Sequence, residues 1–112
     1  MLTIKLHTDP RTLSLRLCGH AGAGKWGKDI VCAAASVLTY TAAATAGQLY
    51  REGKLKKAPH IRLLPGDALV EMETGPEAEA LMNVIRNGYT LLTLRYPENV
   101  KLEERTIYDE KF

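Results

Sequence analysis

Two side chains capable of covalent chemistry stand close together in this sequence. His20 lies in Gly19-His20-Ala21, and Cys32 lies in Gly27-Lys28-Asp29-Ile30-Val31-Cys32-Ala33-Ala34-Ala35-Ser36, with a glycine-rich stretch between them. A cysteine attacks as its thiolate, and an ordinary thiol with a pKa near ~8.5 is only slightly ionised at neutral pH, so a nucleophilic cysteine needs assistance. The first turn of a helix offers unpaired N–H groups and the positive end of the helix dipole, which favour an anion and could also hold the oxyanion formed when a carbonyl is attacked. An imidazole within hydrogen-bond reach would accept the thiol proton and later return it to a departing amine.

Plainer readings exist at each position. A cysteine in an Ala-rich helix is often a small core residue, the glycines can serve a turn alone, and Asp29 is most simply a helix cap. A second role for Asp29, orienting His20 or offsetting the dipole, is the less economical option. Cys18, His20, Cys32 and Asp29 together offer ligands for zinc, yet the spacing lacks the paired Cys-x-x-Cys of structural sites, so no metal or other cofactor is expected. A Cys18–Cys32 disulfide is disfavoured in a reducing compartment.

The elements that must position these groups follow from periodicity. Leu2, Ile4 and Leu6 alternate with Thr3, Lys5 and His7, and Leu13, Leu15 and Leu17 repeat the pattern beyond Asp9-Pro10-Arg11, which predicts a hairpin with one buried face. His20 falls just past the second strand, at the start of a loop from Gly19 to Lys28. Gly19, Gly22, Gly24 and Gly27 give that loop conformational freedom, and it is expected to be mobile until something orders it. Asp29 then caps a helix running to about Arg51, with Gly53 as its stop and Lys54, Lys56 and Lys57 near its carbonyl end. Ile61–Leu64 and Ala68–Thr74 predict a second hairpin around Pro65-Gly66-Asp67. Pro76 opens a second helix whose apolar face carries Ala78, Leu81, Met82, Ile85, Tyr89, Leu92 and Tyr96, and Pro97 ends it. Val100–Tyr108 is a last strand, polar enough for an edge. The expected architecture is α+β, in the order ββαββαβ, with two helices packed on one face of an antiparallel-rich sheet.

Composition narrows the classes. The 112 residues carry 15 basic and 13 acidic side chains, a net charge of +2, with 46% hydrophobic and 25% charged residues. That length fits a single domain spanning residues 1–112, and the small charge excess does not by itself hold a polyanion, so direct nucleic-acid binding is not expected. Lys54, Lys56 and Lys57 with His60 and Arg62 form the one basic cluster, read first as a solvated helix end and second as a phosphate-contacting patch. The uncharged run from Ile30 to Tyr50 is long enough to span a bilayer. Its Ala and Thr content, with Ser36 and Gln48, argues instead for a buried helix whose smooth surface admits close neighbours. Two cysteines and an N-terminus without a signal-peptide pattern suggest a cytoplasmic setting. Trp26 in the loop is placed either to grip a peptide or to tuck onto the sheet.

At Gly19-His20-Ala21 and Gly27-x-Asp29-Ile30-Val31-Cys32-Ala33-Ala34-x-Ser36 the sequence resembles the ribosomal-processing cysteine protease family called Prp. The interval from His20 to Cys32 fits the family, and the length and element order are similar through Tyr96-Pro97-Glu98-Asn99-Val100-Lys101-Leu102. The resemblance implies a homodimeric α+β endopeptidase that removes the N-terminal extension of the precursor of large-subunit ribosomal protein twenty-seven. Carried over by position, Cys32 would be the nucleophile and His20 the general base and acid, with Asp29 and Ser36 in support. Gly19, Gly22, Gly24, Lys25, Trp26 and Gly27 would belong to a flexible substrate loop. Many relatives have an acidic residue where Lys25 precedes Trp26. The alternative is a non-catalytic ribosome-associated binding module.

Overall fold

The computed structural model describes residues 1–22 and 29–108. Seven elements follow one another: β1 (Leu2–Thr8), β2 (Thr12–Gly19), α1 (Ile30–Arg51), β3 (His60–Leu64), β4 (Asp67–Glu73), α2 (Pro76–Arg95) and β5 (Val100–Thr106). The chain is therefore α+β in the order ββαββαβ, as the periodicity implies. The five strands form one sheet in the spatial order β3-β4-β2-β1-β5. Neighbours run antiparallel except β1 and β5, which are parallel.

Register carries the alternation of the sequence into one apolar face. Ile4 lies opposite Leu17, and Leu6 opposite Leu15. Leu15 also faces Val70, Leu13 faces Met72, and Val100 faces Leu2. All of these are buried. Because strand side chains alternate in direction, a single register places every leucine of β1 and β2 on the helix side and leaves Thr3, Lys5, Ser14 and Arg16 on the other.

Helix α1 covers this face with Val31, Ala35, Thr39, Ala42, Ala43 and Ala46, a three- and four-residue rhythm of small side chains. By length and composition alone it is a described helix capable of crossing a membrane, but here one flank is packed into the core and the other carries exposed Val37 and Tyr40. Helix α2 packs beside it with Ala78, Met82, Ile85, Tyr89 and Leu92 inward. The two helices approach so closely at Gly88 that a Cβ there would stand 2.6 Å from Leu38 Cδ2. One polar pair is sealed between them: Thr39 Oγ1 donates to or accepts from Tyr89 Oη at 2.6 Å. Thr39 is also within 2.8 Å of the Ala35 carbonyl. Burial pushes the Tyr89 phenol up to about 12, so the pair stays neutral and hydrogen-bonded inside the core.

Candidate active site

The site forms where four separated stretches meet at one end of the sheet. β2 ends at Gly19, whose φ of +87° turns the chain away from the sheet. A Cβ at Gly19 would lie 2.6 Å from the Met1 carbonyl oxygen, so this turn admits only glycine. The Gly19 N–H donates to the Gly66 carbonyl at 2.9 Å, which fastens the β3–β4 turn against the end of β2. Gly66, also at positive φ, leaves room for His20: a Cβ on Gly66 would come within 3.0 Å of His20 Nε2. The imidazole is thus seated over the Pro65-Gly66 turn.

Cys32 enters from the other side, in the first turn of α1. Asp29 caps that turn, its Oδ1 accepting from the Val31 and Cys32 N–H groups at 3.0 Å each. Cys32, Ser36 and Tyr40 descend along one flank of the helix, and with Leu2, Leu17, Gly19, His20 and Leu64 they line a cleft of about 220 Å³. The structure therefore brings His20, Cys32, Ser36 and Gly19 to one cavity. Gly22 is exposed just beyond it, while Gly24, Lys25, Trp26 and Gly27 lie outside the described residues. Cys18 does not line the cleft, both cysteines are free thiols, and no group of three metal-ligating side chains occurs among the described residues.

The geometry corrects the expected electrostatics. The first-turn N–H groups expected to hold a thiolate or an oxyanion are occupied at Val31 and Cys32 by the Asp29 carboxylate. Burial pushes the Cys32 thiol up, and Asp29 adds to the rise by accepting from the thiol and by its negative charge. The Ala21 N–H, donating to Sγ at 3.1 Å, acts in the opposite direction. No hydrogen bond joins His20 to Cys32 among the described residues. Burial and Asp29 thus favour the neutral form of Cys32, and the imidazole lies on the same cleft, over the Pro65-Gly66 turn.

Two contributors escaped the sequence reading. Ala21 supplies an N–H that reaches the sulfur, and Asn99, in the turn between α2 and β5, donates its side-chain amide to the Ala21 carbonyl at 3.0 Å. An asparagine between Glu98 and Val100 signals a turn and nothing more, so only the assembled fold exposes this reach. Conversely, Lys54, Lys56 and Lys57 are exposed and absent from the cleft lining. The backbone N–H groups of Lys56 and Lys57 donate to Glu73 Oε1.

Fold and cleft define a class: a small α+β protein that presents a thiol and an imidazole to one cavity between a helix terminus and a hairpin turn. The comparisons narrow it. A family model described as cysteine protease Prp matches residues 1–101, and the chain belongs to that family of cysteine proteases. Among solved structures it is similar to the essential ribosomal processing protease Prp from S. aureus in complex with a covalently linked product peptide. There the TM-score is 0.74 and the identity 21%, covering 94% of this chain and 100% of that one. The same S. aureus protease with a substrate peptide gives a TM-score of 0.65 at 19% identity, with 94% and 100% covered. SMU.848 from Streptococcus mutans gives a TM-score of 0.68 at 25% identity, with 96% of each chain covered. A comparison with curated proteins finds no match.

Proposed function

We propose that this protease matures ribosomal protein twenty-seven of the large subunit by cutting off an N-terminal extension, with Cys32 as nucleophile and His20 as general base and acid. The observation that carries the reading is the convergence of these two side chains on one cleft in a chain of the cysteine protease Prp family. That a Prp from S. aureus has been captured with a covalently linked product peptide supports a peptide substrate. The attack requires His20 to leave its seat over Gly66 and take the thiol proton. The sulfur then bonds to the scissile carbonyl carbon, the C–N bond breaks as His20 returns the proton to the leaving amine, and water, deprotonated by His20, releases the acyl group. A substrate strand in the cleft excludes water from the reacting groups and brings the scissile carbonyl to Cys32, the arrangement into which His20 must swing.

The enzyme is further proposed to work in the cytoplasm as a homodimer. The outer surface of the helix pair supports self-association: Val37 is 64% exposed, Leu91 64% and Leu94 72%, beside a shallow apolar groove that includes Ala34, Leu38 and Leu92. Light scattering is expected to give twice the 12.4 kDa chain mass.

The direct test is the mass of the ribosomal precursor before and after incubation with the protein under reducing conditions. Loss of the N-terminal extension is expected with the unmodified chain. Cys32→Ala is expected to abolish it while shifting thermal stability by less than about 1 kcal/mol, since the side chain is only partly buried. An uncut precursor would refute the proposed substrate.

A further inference from the structure

Among the described residues, the N–H aimed at the sulfur belongs to Ala21, and it is held there from a distant part of the chain. Ala21 is buried, at 3% exposure, and is preceded by His20 and followed by the exposed Gly22. Its N–H donates to Cys32 Sγ, and its carbonyl accepts from Asn99 Nδ2. These two groups sit on consecutive peptide units, so holding both fixes the backbone orientation of Ala21 itself. Asn99 is in turn a rigid post: its N–H donates to the Tyr96 carbonyl at 3.0 Å, and its carbonyl accepts from the Leu2 N–H at 2.9 Å. The end of α2, the start of β1 and the loop before α1 are joined through this one residue.

We infer that Asn99 is a positioning residue for the Cys32 nucleophile, acting through the Ala21 peptide, which it orients so that one backbone N–H is kept on the sulfur as it ionises. The inference rests on the assignment of Cys32 as the nucleophile but not on the identity of the substrate. It follows from competition at the helix terminus. Asp29 already occupies the Val31 and Cys32 N–H groups and opposes ionisation by its charge, so among the described residues the N–H that Ala21 delivers from outside the helix is the chief group favouring the thiolate. The other groups bearing on the sulfur are the Asp29 carboxylate and, weakly, the amino terminus, with His20 on the same cleft.

The experiment measures alkylation of Cys32 by iodoacetamide against pH, followed by peptide-resolved mass spectrometry so that Cys18 is scored separately. No substrate is needed. Asn99→Leu keeps the size and removes the donor, and is expected to move the midpoint upward and slow alkylation at neutral pH about three- to tenfold, as for a donor lost from a charged acceptor. Asn99→Gln, which retains an amide, is expected to fall between the two. Val100→Ala perturbs the same junction without touching the bond, and is expected to lower stability while leaving the midpoint alone. A folded Asn99→Leu protein with the unmodified pH profile overturns the inference. So does a Val100→Ala protein with the same shift, which would reduce Asn99 to a structural anchor. In the unsubstituted protein the Ala21 amide is expected to exchange with solvent at least about tenfold more slowly than that of Gly22. Equal rates overturn the inference even if Asn99→Leu fails to fold. A shifted midpoint together with an uncut ribosomal precursor supports the positioning role and refutes only the substrate assignment.

Discussion

The two ends of the sheet are built by different means. At the Asp9 end, the β1–β2 turn closes on itself: Asp9 Oδ1 accepts from the N–H groups of Arg11 and Thr12 at 2.8 and 2.7 Å, and its Oδ2 lies 3.0 Å from His7 Nε2. Partners two or three residues apart hold the carboxylate itself, while Thr74 reaches the turn from β4's end through Oγ1 to the Asp9 carbonyl and N–H to the Arg11 carbonyl, and the Ile107 N–H donates to the Thr8 carbonyl. At the cleft end, beside the local Asp29 cap and the Asn99–Tyr96 turn, the bonds that assemble the site among the described residues join separate stretches: Gly19 to Gly66, Ala21 to Cys32, Asn99 to Ala21. A local turn can be lost with small consequence elsewhere. A junction of four stretches ties the geometry of the thiol and the imidazole to the whole fold, so damage there is expected to appear in chemistry as well as in stability.

Gly19→Ala is the harshest test of that difference. The added methyl meets the Met1 carbonyl oxygen at 2.6 Å and must also adopt positive φ, so strain and overlap together are expected to cost about 3 kcal/mol. Urea unfolding gives the value directly, and a loss under about 1 kcal/mol would mean the junction yields easily. Gly66→Ala comes next. Here the obstacle is the edge of the His20 ring at 3.0 Å, a side chain that can move, so stability is expected to fall by only about 1–2 kcal/mol for the left-handed backbone. Peptide cleavage is expected to change by more than the stability loss explains, because the added methyl displaces the imidazole that must swing to Cys32. If Gly66→Ala cuts at the unmodified rate, the resting position of His20 has no bearing on catalysis.

Asp29→Asn separates capping from charge. Asparagine caps as well as aspartate, so the melting temperature is expected to stay nearly constant. Removing the carboxylate charge removes one cause of the raised Cys32 pKa. Iodoacetamide should therefore react faster with Cys32 at neutral pH, by about threefold, with the midpoint moved down. For the unsubstituted protein the sign is the reverse of a typical activated cysteine: in the absence of peptide, alkylation should climb with pH to a midpoint above that of a free thiol. A midpoint below it would show that the helix dipole outweighs burial and the Asp29 charge.

These contrasts also explain what could be read in advance. The alternation of Leu2, Ile4 and Leu6 with their polar neighbours, the three- and four-residue recurrence from Ala78 to Tyr96, and Pro76 and Pro97 at the helix limits are local signals, and each element they imply is present. Strand neighbours such as β2 with β4 depend on residues some fifty positions apart, and no periodicity carries that information. Likewise the spacing around His20 and Cys32 exposed two reactive side chains and the Asp29 cap. It could not show that the cap takes up the very N–H groups expected to hold an anion, since that depends on where one carboxylate oxygen rests. Asn99 was illegible for a stronger reason: its partner is Ala21, a residue without functional groups, met only through backbone atoms.

The smallest expected effect lies at the opposite end, and its smallness is what makes it useful. The Arg11 N–H, then His7 and the Thr12 N–H, hold the Asp9 carboxyl below its ordinary value. Its folded-state pKa is thus depressed, so its contribution to stability is complete above the ordinary carboxylate range and is lost as the pH falls through the folded value. Asp9→Asn should therefore narrow the difference between the melting temperatures measured near neutral pH and in acid, by an amount limited by the solvent around this turn. It should leave the rate of Cys32 alkylation unchanged at every pH. A change in thiol reactivity on removing Asp9 would mean that the two ends of the sheet communicate, and that a locally closed turn is as much a part of the site as the junction that holds it.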